Sequence, residues 1–134
     1  MKVVGFNFSK LSIEKISDKF KGLKINTNID IVSVKQIKPD VFRVKEDLIE
    51  IKFDYTIDYS PKIAKISLSG NVLTMVDSKT AKNFLKQWKN KKFPEEHKIP
   101  LFNVILRKSN LKALQLEDEM GLPLHIPFPS VKEQ

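Results

Sequence analysis

Cysteine is absent from the 134 residues, so they can form no disulfide, thiolate nucleophile or cysteine-ligated zinc site. That suits a reducing compartment, and a cytoplasmic location is expected. Glycine is scarce, at four residues, which leaves little material for a loop that cradles phosphate. Neither the P-loop pattern nor the dinucleotide fingerprint occurs, and no nucleophile motif is found. The two histidines, His97 and His125, lack the i, i+4 partner of a helical metal pair. His125 is expected to cap or pack the proline-rich tail. No enzymatic activity, metal or cofactor is therefore expected. No apolar run approaches the ~18 residues of a membrane span. The start, MKVVGFNFSK, lacks the apolar core and small-residue cleavage site of a signal peptide.

What is present is lysine and a regular apolar pattern. The formal net charge is +8, and of 24 basic residues only Arg43 and Arg107 are arginine. Lysine is a hydrated point charge, whereas arginine is preferred for bidentate phosphate and base contacts. The excess thus favours solubility and loose attraction to polyanions. Lys79, Lys82, Lys86 and Lys89 form one face of an expected helix, with Ala81, Phe84, Leu85 and Trp88 on the other. Single-strand binders interleave aromatic and basic residues on one face. A basic nucleic-acid-binding module remains the alternative reading, behind a solvated helix face.

The first half reads as four strands, over about residues 2–76. Val4, Phe6 and Phe8 alternate, then parity shifts to Leu11 and Ile13, which predicts a bulge near Ser9–Lys10. A turn at Phe20–Gly22 leads into Leu23, Ile25, Thr27, Ile29 and Ile31, alternating with polar residues as in a half-buried strand. Lys38–Asp47 is a connection that carries Val41, Phe42 and Val44. Ile49 through Tyr59 is the longest alternation, Ser60–Lys62 a turn, and Ala64 through Val72 the fourth strand, expected to break near Val72–Leu73. Short connections imply an antiparallel sheet. Asp30, Asp54 and Asp58 fall on its wet face near Lys24 and Lys52, where cross-strand ion pairs are expected.

Two helices follow, over about 78–92 and 100–120, with an extended tail from 122 to 134; residues 1–134 form one domain in this reading. Asp77 or Ser78 can cap the first helix, Phe93–Pro94 ends it, and Pro100 suits the first turn of the second. Gly121 closes the second helix. That helix carries two apolar rows: Leu101, Val104, Ile105, Leu111 and Leu114, and beside them Phe102, Leu106, Ala113, Leu116 and Met120. One apolar stripe suffices to cover a core. The second row calls for another subunit or a bound apolar segment, unless the helix is buried on both sides by its own chain. The class is α+β: a four-stranded antiparallel sheet, a short helix and a long helix, in an oligomer.

This order resembles the SecB family of protein-export chaperones. The motif-level likeness lies in residues 99–131: Leu101–Phe102 at the helix start, Arg107, Gly121, then Leu122–Pro123, Leu124, Ile126 and Ser130–Val131. The resemblance implies an ATP-independent holdase for unfolded or precursor polypeptides, without cofactor, assembled as a homotetramer (a dimer of dimers) and linked to export. It implies interfaces through Phe6 and Phe8 of the first strand and through Phe102, Leu106, Ala113 and Leu116 of the long helix. It implies client binding by Val41, Phe42 and Val44, and by Leu122, Leu124, Ile126 and Phe128. Two departures stand out. Family members continue into a further helix after this point. They also offer acidic sheet residues to the export motor SecA, so docking to SecA is not expected of a +8 chain.

Overall fold

A computed structural model of the chain describes residues 1–37 and 46–132. The elements are β1 (Lys2–Lys15), β2 (Lys24–Ile37), β3 (Asp47–Ser60), β4 (Ala64–Val76), α1 (Ser78–Trp88) and α2 (Glu95–Met120). The sheet has the order β1-β4-β3-β2, and every pairing is antiparallel. β3 and β4 are therefore central, and β1 and β2 are the edges.

Strict alternation makes β3 the floor of the core. Ile49, Ile51, Phe53, Tyr55, Ile57 and Tyr59 are all buried, while Lys52 and Asp58 point to solvent. β4 continues this pattern past its expected break, running to Val76 with Thr74 fully buried. The Thr74 hydroxyl donates to the Ile49 carbonyl at 3.3 Å, which is what makes a polar residue tolerable on the inner face. Gly70 is required by close approach. A Cβ there would meet the Phe53 ring at 2.9 Å and the backbone of Asn7 closer still.

The edge strands hold their apolar faces inward with bulges. In β1, Phe8 pairs with Gly70 and Lys10 with Ser69, so the extra residue falls at Ser9, as expected. A second irregularity lies between Val3 and Gly5. β2 has a bulge that alternation alone did not suggest: Ile31 pairs with Phe53 and Ser33 with Lys52. It turns Val34, rather than Ser33, into the core. On the opposite face, Asp30 accepts from Asn28 Nδ2 at 3.0 Å and Asp54 from the Ser69 hydroxyl at 2.6 Å. The ion pairs expected of Asp30, Asp54 and Asp58 with Lys24 and Lys52 do not form among the described residues; Lys35 and Glu50 make the cross-strand contact instead, at 3.9 Å.

Asp77 caps α1 through Thr80 N–H at 2.7 Å. α1 stops at Trp88, short of the expected end, because residues 89–92 turn back on themselves; Lys91 takes φ 56° and Lys92 N–H donates to Gln87 O at 3.0 Å. α2 starts five residues before Pro100, the expected N-terminal position. Glu95 and Glu96 fill its first turn, where the helix dipole favours negative charge. Pro100 leaves only the exposed Glu96 carbonyl without an intrahelical partner. At the far end Gly121 adopts φ 65°, and Leu122 N–H reaches back to Glu117 O at 2.9 Å in a Schellman-type closure.

Candidate functional site

Between the edge strand β2 and the two helices runs an open groove of about 1010 Å³. One wall is Ile29, Asp30, Ile31 and Val32. The other is built from the end of α1 (Gln87, Trp88), the turn (Lys91, Lys92, Phe93) and the start of α2 (Glu95, Lys98, Phe102). β2 pairs only with β3, so the outer backbone edge of the strand beside the groove has no ladder partner among the described residues. The bulge at Val32 sits in this wall and leaves Val32 48% exposed. Lys91 Nζ lies over the Trp88 ring, 4.9 Å from its centroid, and Lys98 Nζ is 5.8 Å from that of Phe102. Aromatic walls and lysine ammoniums thus share one concave surface. The helical pattern of α1 places Trp88 on the core face; in the structure it is half-buried and open to the groove.

The residues implied by the resemblance scatter. Val41, Phe42 and Val44 lie outside the described residues. Leu122 is in the core, 5% exposed, so it offers no surface to a ligand. Leu124 and Phe128 are exposed and line a smaller recess of about 320 Å³ with Leu114, Gln115 and Asp118; Ile126 is half-buried. Among the interface residues, Ala113 is corrected outright. It faces the sheet with no accessible surface, so it cannot touch a second subunit. Phe6 packs tilted and Phe8 edge-on against Phe53, with centroids at 5.5 and 6.5 Å, on the inner face of the sheet. Leu106 and Leu116 are half-buried against the core, and Phe102 belongs to the groove. The large apolar side chains that α2 leaves exposed are instead Ile99, Leu111 and Met120.

A buried polar cluster fastens the tail. Glu117 has no accessible surface, yet its carboxylate accepts from His125 backbone N–H at 3.2 Å and from His125 Nδ1 at 2.8 Å. The Tyr59 hydroxyl lies 2.6 Å from Glu117 Oε2 and 2.7 Å from the Pro123 carbonyl, and donates to one at a time. His125 Nε2 is 3.0 Å from Asn110 Oδ1 and 3.1 Å from the Tyr55 hydroxyl, which also donates to Asn110. Burial pushes both phenols well above the ordinary tyrosine value of 10.0, helped by the Glu117 charge at Tyr55 and by the hydrogen bond to Glu117, then its charge, at Tyr59. None of its buried polar side-chain atoms lacks a hydrogen-bond partner, so the cluster positions the tail. His125 thus does pack the tail, as expected. Glu117, Asn110 and the two tyrosines escaped the sequence reading.

These features define a SecB-like fold. In a comparison with solved structures, the chain is similar to a SecB-like chaperone of Mycobacterium tuberculosis, in complex with a ChAD peptide from an antitoxin. The match has a TM-score of 0.52 at 9% identity and covers 99% of this chain and 92% of that one. No protein-family model matches the sequence, and no curated protein does. Among the described residues, no helix is long and apolar enough to cross a membrane, and no group of metal-ligating side chains gathers.

Proposed function

We propose that this protein is an ATP-independent chaperone of the holdase type, which keeps non-native polypeptide from aggregating by burying its apolar side chains. The observation that carries the reading is the groove beside β2. It is open, Ile29, Ile31, Trp88 and Phe102 contribute to its lining, and among the described residues the outer edge of β2 beside it has no ladder partner. An extended chain can lay alternate side chains onto Ile29, Ile31, Trp88 and Phe102, while its backbone meets the edge. Each Å² of apolar surface removed from water contributes about 25 cal/mol. The bulge at Val32 limits how far such pairing can spread, which suits transient holding better than permanent strand addition.

The SecB-like fold supports this reading, because its solved neighbour is a chaperone with a peptide bound. The recess of Leu124 and Phe128 is a second apolar contact in the same proposal. A homotetramer and a role in export are further parts of it, drawn from the family resemblance.

The test is dilution of a chemically unfolded protein into buffer with stoichiometric amounts of this chain and no nucleotide. Light scattering should stay low, at both low and high salt. Unchanged aggregation in both conditions would overturn the proposal.

A further inference from the structure

The groove carries more positive charge than an apolar client needs. Lys91, Lys92 and Lys98 line it with Asp30 and Glu95, three cations to two carboxylates, and Asp30 accepts a hydrogen bond from Asn28 that leaves its charge in place. Among the described residues none of the three lysines forms an ion pair. Two of them are held in place by backbone. In the turn after α1, Asn90 N–H donates to Gln87 O at 3.0 Å, Lys91 N–H to Trp88 O at 2.8 Å and Lys92 N–H to Gln87 O at 3.0 Å. The third is on the first turns of α2. Lys91 and Lys98 lie over the Trp88 and Phe102 rings, so cation and aromatic surface adjoin in the groove.

We infer that the groove selects extended polypeptide segments whose apolar side chains are flanked by aspartate or glutamate. The inference rests on the proposal that the groove holds polypeptide, and it specifies which kind. Apolar side chains of such a segment enter between Ile29, Ile31, Trp88 and Phe102. Its carboxylates then reach the ammonium groups of Lys91, Lys92 and Lys98. A basic segment meets like charge at the same places. Single-stranded RNA is also a polyanion, but the rings it would stack on have lysines over them, and among the described residues no arginine lines the groove.

Trp88 is the chain's only tryptophan and forms part of the wall, so its fluorescence reports occupancy directly. Three unstructured peptides with identical apolar residues, flanked by Glu, Gln or Lys, make the test. Rim pairs are individually weak, so the three together should favour the Glu peptide over the Gln peptide by about tenfold at low salt. The Lys peptide should bind weakest, and the spread should shrink at high salt. The triple variant Lys91→Gln/Lys92→Gln/Lys98→Gln should lose the preference for the Glu peptide over the Gln peptide, because only the carboxylates of Asp30 and Glu95 then remain as charges in the lining. Equal affinities in the wild type would overturn the inference while leaving the groove a polypeptide site. No binding of any peptide would remove both readings. An oligouridylate that binds tighter than the Glu peptide and displaces it would overturn the inference in favour of nucleic acid.

Discussion

Glu117 is the residue on which the tail's position depends. A carboxylate with no accessible surface is costly unless every oxygen is occupied. Here the donors come from three directions: Tyr59 of β3, and the backbone and ring of His125 in the tail. Truncation by Glu117→Ala leaves the buried His125 N–H groups without an acceptor. It should lower stability by roughly 3 kcal/mol, the cost of orphaned buried donors. Glu117→Gln keeps one acceptor oxygen and should lose about half of that. Urea denaturation of the two variants checks this; equal midpoints for Glu117→Ala and wild type would refute it. Tyr59 would keep the Pro123 carbonyl as an acceptor, which is why the loss falls on His125.

Between elements, the same cluster joins β3, α2 and the tail, and the alkaline limb of stability should report it. The chain has two tyrosines, Tyr55 and Tyr59, and both are in the cluster. Their folded pKa values lie above the ordinary 10.0, raised first by burial and then by Glu117. The stability from keeping them neutral is fully present below pH 10. It is lost as pH rises further, since the unfolded phenols ionise and the folded ones do not. Phenolate absorbance should therefore appear together with unfolding, with no earlier titration from exposed tyrosine. A free titration centred on pH 10 in the folded protein would contradict the buried placement. Tyr55→Phe/Tyr59→Phe should flatten the slope above pH 10.

The elements also mark where sequence pattern succeeds and where it stops. Period-two alternation from Ile49 to Tyr59 placed β3 and its inner face, and the shift from Phe8 to Leu11 located the β1 bulge. In α2 the same logic failed for a physical reason. The stripe on the sheet is Leu101, Ile105, Ser109, Ala113 and Glu117, an i, i+4 row with two polar members. Hydropathy alone splits that row between two apolar rows and hides Glu117, because its burial depends on partners on β3 and in the tail. The groove is likewise assembled from β2, the α1–α2 turn and α2, segments about sixty residues apart. Trp88 and the rim lysines were visible one by one, but their meeting across Ile31 was not.

At the scale of the whole molecule, the question is what covers the outside of α2. The sheet takes one side of the helix. Ile99 and Leu111 remain 69% and 62% exposed, on a surface otherwise rich in charge. Scattered single apolar residues need no explanation. At about 100° per residue Ile99 and Leu111 lie about 120° apart around α2, so Leu111, near the middle of the helix, is the one that replaces Ala113 in the proposed interface. Native mass spectrometry should give about four times the 15.5 kDa chain mass. Leu111→Asp places a charge in the middle of that contact, where burial without a partner is costly. It should reduce the mass to that of a smaller species while leaving the helical circular dichroism unchanged, since Leu111 contributes nothing to the core of its own chain. If the wild type is a monomer at micromolar concentration, or if Leu111→Asp assembles as well as wild type, α2 is not the face through which copies meet. The groove beside β2 would then have to hold its clients from a single chain.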